Sequence, residues 1–362
     1  MAKELLKTLK GLLKKRIYFS DFHLHILFMV YPIYTHVYQV FNRTPYLGIF
    51  GPKDSGKTCL GDFLEGVCFK GTQASDITSA ALYRFVDQEK GTIIIDEGLH
   101  NESRFDTLNR ILRSGYRKNG RVICCEPGGS IATFSTFCPK AIIDKTEPSD
   151  AALSSRIISL RMTQSPRSIP NLPDSEAQIE FENARDLITK FWKDNRQALS
   201  DYYKSSPGFD EFSNRNAELW TPLLTVSAFL DSQLGRSFLL ENMLSLARKS
   251  IQSKGRDELE NNLDLQILEG TRAFIEDSNT ESIQGNLYVA FQIRDFIRKR
   301  WDLRGLSTKK VVQTLKLYFV CGERKRPHIL LSGINQPACY PIDTKTLTEI
   351  TEKYFDGGET KS

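Results

Sequence analysis

Tyr46-Leu47-Gly48-Ile49-Phe50, followed directly by Gly51-Pro52-Lys53-Asp54-Ser55-Gly56-Lys57-Thr58 and a helical run that opens at Cys59, decides how this chain reads. An apolar pentapeptide, a Gly-rich turn and a helix pattern form the context that the spacing G-x-x-x-x-G-K-[ST] needs if it is to bind phosphate. The glycines let successive backbone N–H groups curl around phosphate oxygens, and the helix N-terminus adds the positive end of its dipole. Lys57 is expected to reach the β- and γ-phosphates, and Thr58 to offer its hydroxyl to Mg²⁺.

Working outward, Thr92-Ile93-Ile94-Ile95-Asp96-Glu97 is an apolar strand that delivers two adjacent carboxylates at its C-terminal end, where open α/β sheets bind ligands. Asp96 is expected to hold Mg²⁺ and Glu97 to polarise an attacking water as general base. A third strand, Lys140 to Asp144, ends in a polar turn, so Asp144, Lys145 and Thr146 are three candidates for a contact to the γ-phosphate or the water. Arg156 follows a short helix ending in Ser154-Ser155. Other strand patterns lie at 121–125, 131–137 and 156–162, so strands and helices alternate in the manner of a parallel sheet.

The whole chain has 362 residues with 40% hydrophobic and 26% charged residues, which excludes disordered and collagen-like classes and allows more than one domain. Its net charge of +5 is concentrated in residues 1–16, a basic amphipathic helix pattern with Leu5, Leu6, Leu9, Leu12 and Leu13 at helical spacing. The apolar stretch 22–41 contains His23, His25, Pro32, His36 and Gln39, so a buried helix is expected in place of a membrane span. Seven scattered cysteines with no Cys-x-x-Cys pair fit a reducing compartment, and a cytoplasmic location is expected. The expected domains are a basic N-terminal helix (1–20), a phosphate-loop core (21–165), a helical lid (176–275) and a helix–helix–hairpin unit of winged-helix type (286–356). The proline-rich segment 165–175 and a polar linker at 277–285 separate them.

The order of these parts resembles the AAA+ ATPases and superfamily 3 helicases, and most closely a family of phage and plasmid helicase-like P-loop ATPases. The likeness runs through Thr35-His36, Thr44 to Leu47, the Gly-rich loop, the strand to Asp96-Glu97, Leu112 to Arg117, Cys138 to Ala141 and Arg156 to Met162. It continues in the block Asn214 to Leu224, NRNAELWTPLL. The resemblance implies an α/β P-loop NTPase with a helical lid and a C-terminal winged-helix-like domain, ATP and Mg²⁺ as cofactors, and hydrolysis. Residues 51–59 would hold the nucleotide: Gly51, Pro52, Lys53, Asp54, Ser55, Gly56, Lys57, Thr58 and Cys59. It further implies a ring-forming homo-oligomer in which Arg156 reaches the neighbouring subunit's nucleotide, and a lid arginine, Arg215, that closes on the γ-phosphate.

Residues 294–326 carry a net charge of +8, a phosphate footprint for DNA or RNA built from Arg294, Arg298, Lys299, Arg300, Lys309, Lys310, Arg324, Lys325 and Arg326. A helicase of the related type carries a basic or aromatic tip on a hairpin before the third strand; here that turn is Glu126-Pro127-Gly128-Gly129-Ser130. Three functions therefore compete. They are an oligomeric ATPase acting on nucleic acid in mobile-element biology, an ATP-gated regulator or phage-defence protein that does not translocate, and a small-molecule kinase.

Overall fold

The computed structural model describes residues 1–96, 102–126, 128–166, 169, 174–205, 208–209, 211–212, 214–277, 286–327, 330–331, 334–335 and 337–355. Two compact units divide the chain, Met1–Ser250 and Ile251–Ser362. The first opens with α1 (Ala2–Arg16) and α2 (Phe22–Thr35). It continues through β1 (Tyr46–Phe50), α3 (Lys57–Val67), β2 (Thr72–Ala74), α4 (Ser79–Glu89), β3 (Ile93–Asp96) and α5 (Glu102–Ser114). Then come β4 (Arg121–Cys125), β5 (Ile131–Ser135), β6 (Lys140–Asp144), α6 (Ala151–Ser154), β7 (Ile157–Arg161), α7 (Asp174–Ser205), α8 (Asn214–Leu234) and most of α9 (Phe238–Asn261).

Five of these strands form one parallel sheet in the order β2-β3-β6-β1-β7. Every residue of β1 and β6 is buried, as expected for central strands covered on both faces. Because β1 lies between β6 and β7, the chain leaves it through α3 for the far edge and returns to its other side only at β7. That reversal is where open α/β sheets form a crevice at the strand C-termini.

The strands at 121–125 and 131–135 do not join this sheet. Among the described residues they pair only with each other, antiparallel, with Cys125 opposite Ile131. Their burial alternates, so only one face of the ribbon is covered; Tyr83 of α4 meets Phe134 there, ring centroids 5.0 Å apart. Between the expected elements lie β2 and α4; α4 is capped by Thr78 and buries Leu82, Tyr83 and Val86 on one face.

Leu5, Leu6, Leu9, Leu12 and Leu13 of α1 are all buried, each burial being worth roughly 1.5–3 kcal/mol. The helix α2 is buried along most of its length, and Trp192 Nε1 of α7 donates to Ile33 O at 2.8 Å. Among the described residues no helix is long and apolar enough to cross a membrane.

The second unit holds α10 (Leu263–Glu276), β8 (Leu287–Val289), α11 (Ala290–Trp301), α12 (Thr308–Leu317), β9 (Leu330–Leu331), β10 (Ile334–Asn335), β11 (Cys339–Pro341) and α13 (Thr344–Phe355). Leu265, Ile267 and Leu268 of α10 share a core with Ile293, Ile297, Val311, Leu315 and Leu347. The span 176–275, expected as one lid, is thus distributed: α7 and α8 belong to the sheet unit and α10 to the C-terminal one. Ahead of α11, β8 pairs antiparallel with β11, Tyr288 opposite Tyr340.

Candidate nucleotide site

The loop after β1 has the backbone that its glycines announce. A Cβ on Gly51 would sit 2.4 Å from Met162 O, so the loop passes too close to the end of β7 for any side chain. Asp54 (φ 62) and Gly56 (φ 84) take left-handed conformations, and Gly56 then caps α3. Alternation of this kind turns backbone N–H groups toward one side, the geometry of an anion nest. Lys57 Nζ donates to Gly51 O at 2.8 Å and Pro52 O at 2.7 Å, so its ammonium is drawn back across the loop. Ser55 is buried while Pro52, Lys53, Asp54 and Thr58 are exposed. Lys53 O accepts from Gln164 Nε2 at 3.2 Å, and Cys59 is half-buried, its thiol pushed up by burial and then by Asp62.

Asp96 ends β3 two strands away, opposite Ile143 of β6, and Asp144 stands opposite Phe50 of β1. Both carboxylates therefore lie at the same edge of the sheet as the loop. Asp96 Oδ2 accepts from Gln73 Nε2 at 3.1 Å, a partner on β2 that no sequence pattern signalled. Gln73 Oε1 is buried and has no hydrogen-bond partner among the described residues. Asp144 is buried and accepts from Lys145 N at 2.6 Å, whereas Lys145 and Thr146 are exposed beyond the strand. Glu97 lies outside the described residues. The nest, the in-turned lysine and a strand-end carboxylate suit a nucleoside triphosphate with Mg²⁺: Lys57 and the loop amides for phosphate, Thr58 and Asp96 for the ion.

Arg156 and Arg215 are brought together, and not with the loop. Arg156 O accepts from Tyr46 N at 3.2 Å, which fixes it at the N-terminal edge of the sheet. Five residues of strand at ~3.3 Å each put its backbone about 16 Å from Gly51, beyond an arginine's reach. Its guanidinium donates to Ala152 O and lies 5.8 Å from the Tyr116 ring centroid; that of Arg215 lies 5.1 Å from the same ring. Burial, and after it the charge of Arg215, pushes the Arg156 guanidinium down from its usual range. Glu218 binds the group together, accepting from Arg215 at 2.6 Å, Arg43 at 3.1 Å and the Tyr116 hydroxyl at 3.4 Å. The i,i+3 spacing of Arg215 and Glu218 was legible; the parts played by Arg43 and Tyr116 were not.

In the second unit the basic residues divide into two sets. Arg294 pairs with Asp295 and Thr308, Arg298 donates to Leu306 O at 2.7 Å, and Lys310 pairs with Asp264 at 2.7 Å. The Lys310 bond, helped by Thr314, holds the Asp264 carboxyl below its usual range. Lys299, Arg300, Lys309, Arg324, Lys325 and Arg326 are exposed. The hairpin turn is closed by Glu126 N donating to Ser130 O at 2.8 Å, and Glu126 pairs with Arg84.

No family model matches the chain, and neither does any curated protein. Among solved structures, the chain is similar to the apo C-terminal region (305–718) of NrS-1. That match has 13% identity and a TM-score of 0.42 over 93% of this chain and 75% of the other. It is also similar to SCCmec type IV Cch, described as an active helicase, at 10% identity and a TM-score of 0.42 over 95% and 71%.

Proposed function

We propose that this chain is a Mg²⁺-dependent ATPase of helicase-like type, working as a homo-oligomer on DNA or RNA in mobile-element biology. The observation that carries the reading is the loop 51–58, with its left-handed residues and in-turned Lys57, at the same sheet edge as Asp96. On binding, Lys57 exchanges the Gly51 and Pro52 carbonyls for phosphate oxygens, and the loop amides take the remaining charge. Bound Mg²⁺ neutralises charge on the phosphates. Thr58 and Asp96 would hold it, with Gln73 orienting the Asp96 carboxylate as an outer partner. Glu97, next along the chain, would hold the attacking water and accept its proton.

Arg156 and Arg215, far from their own loop and gathered around Tyr116, suit a surface that meets the nucleotide of a neighbouring subunit. The exposed basic residues between 299 and 326 would meet the nucleic-acid backbone.

Lys57→Ala should abolish ATP binding. Glu97→Gln should keep binding and lower turnover by about 10²-fold or more, because one residue supplies charge and the other activates water. Calorimetric binding and steady-state hydrolysis separate the two; equal loss of affinity in both variants would remove the hydrolysis assignment from Glu97.

A second reading, an ATP-gated regulator or phage-defence protein without translocation, is favoured by the hairpin, whose turn carries Glu126 where a nucleic-acid-gripping tip would carry a cation. ATP turnover that single-stranded and duplex nucleic acid both leave unchanged would select it.

A further inference from the structure

The helix α12 ends in a turn that calls for glycine. Val320 N donates to Leu315 O at 2.8 Å and Phe319 N to Lys316 O at 3.0 Å. These are the paired bonds of a Schellman cap, whose first residue past the helix takes a left-handed backbone and is usually Gly. Here that residue is Phe319, at φ 57. Val320 and Leu315 both lie in the core of the second unit, so the apolar contact of the cap is complete without Phe319. The Phe319 side chain is 86% exposed, more than any other large apolar side chain among the described residues, and Leu317 beside it is 66% exposed. A bulky residue in a conformation that favours glycine, with its ring in solvent, adds nothing to the fold. What it gains must come from a partner.

The surroundings select the partner. Residues 308–326 hold six basic residues and one acidic residue, a charge balance that attracts a polyanion. Lys309, Gln313 and Lys316 share one face of α12 and are all exposed. Lys316 meets Glu323 at 3.1 Å, an exposed pair of the kind that contributes little in water and yields to a phosphate. Two apolar side chains rimmed by lysines are too small a patch for a stable protein interface, which buries about 1,000 Å² or more. A phenyl ring among cations suits nucleic acid instead, because every base offers a flat face for stacking while the lysines neutralise phosphates. A ring wedged into a duplex must first unstack a base step, which is repaid only when the bent duplex covers more protein. An unpaired base presents its face without that cost.

We propose that Phe319 stacks on an unpaired base of a single-stranded nucleic acid whose phosphates pass Lys309 and Lys316. This rests on the reading of the second unit's basic residues as a nucleic-acid surface. It adds that the bound strand is single, and that a base face holds it as well as charge.

The test is fluorescence anisotropy of the full chain with three labelled ligands at low salt: oligothymidylate, an abasic deoxyribose-phosphate strand of the same length, and duplex DNA. Phe319→Ala should weaken oligothymidylate about tenfold or more and leave the abasic strand and the duplex within about twofold, their unchanged binding also showing that the variant folds. Phe319→Trp should restore oligothymidylate binding, and its added indole fluorescence should be quenched by that ligand and not by the abasic strand. Equal weakening of all three ligands by Phe319→Ala, or unchanged oligothymidylate affinity, overturns the stacking contact. Greater weakening of the duplex than of oligothymidylate makes Phe319 a wedge and overturns the single-strand assignment. A wild-type chain that binds none of the three overturns the nucleic-acid reading itself, a result distinct from those above.

Discussion

His36 shows how a single residue's surroundings set its chemistry. Its Nε2 meets Val67 O at 3.2 Å, its ring packs edge-on to Phe69, and burial lowers its pKa from 6.5 to about 4. A histidine held neutral in the folded state but free to charge in the unfolded one makes the unfolded chain bind more protons between these two values. Stability from this residue is therefore complete above about pH 6.5 and is lost as pH falls toward 4. Between pH 7 and pH 5 the loss from His36 alone should be about 2 kcal/mol. Urea unfolding of the wild type and His36→Gln at both pH values checks it, because the difference between the two cancels other titrating groups such as His25, which burial also lowers. Equal pH dependence in the two proteins would show that His36 can charge without unfolding. At the same scale, Gly51 and Lys57 are dictated by contacts: one by the Met162 carbonyl, the other by the two loop carbonyls it bonds.

At the scale of elements, α1 illustrates a helix whose sequence pattern and packing agree except at one position. Its five leucines are buried, Glu4 lies in its first turn and Lys14, Lys15 and Arg16 in its last, which complements the helix dipole at both ends. Gly11 interrupts it, and a Cβ there would meet nothing within 4 Å. Gly11→Ala should stabilise the protein by about 0.5–1 kcal/mol through helix propensity alone, read as a raised urea midpoint with unchanged slope. A lowered midpoint would mean that α1 needs freedom at this point. The hairpin β4–β5 is the contrasting element, with Ile123 and Ile131 on its exposed face. Its burial alternates, one face covered and the other open, whereas β3 is buried on both faces, although Val122–Cys125 is as continuously apolar as Ile93–Ile95.

For the whole molecule, the separation of Arg156 from its own loop leads to a complementation experiment. Arg156→Ala and Lys57→Ala chains should each be inactive alone. Mixed, they should recover hydrolysis at sites that combine an intact loop from one subunit with an intact arginine from the next. Mixtures without recovered activity, despite demonstrated subunit exchange, would count against an intersubunit arginine. The C-terminal unit leads to a second whole-molecule expectation. Replacing Arg324, Lys325 and Arg326 by alanine in the full chain should weaken DNA binding. It should also reduce the slope of log affinity against log salt by roughly 0.9 for each phosphate of duplex DNA that is no longer neutralised. An unchanged slope would assign these charges to solubility. Arg294, Arg298 and Lys310 are poorer choices for this test, since replacing them would also break their bonds to Asp295, Leu306 O and Asp264.

What the sequence determined by itself was local. The strand–loop–helix at 46–67, the strands at 93–96, 140–144 and 157–161, and the leucine face of α1 are written in neighbouring residues, because turn geometry, strand burial and helix period act over a few positions. So is the backbone of loop 51–58, with left-handed Asp54 and Gly56, since such a turn needs only its own residues. The tertiary structure decided what depends on residues distant in the chain. It set the order β2-β3-β6-β1-β7, which brings Asp96 and Asp144 to the loop's edge, and it paired β4 with β5 outside the sheet. It also gathered Arg43, Tyr116, Arg156, Arg215 and Glu218 at the opposite edge and split the span 176–275 between two units. Such contacts follow from which faces bury together, and many packings share the same local patterns until the chain closes on one of them.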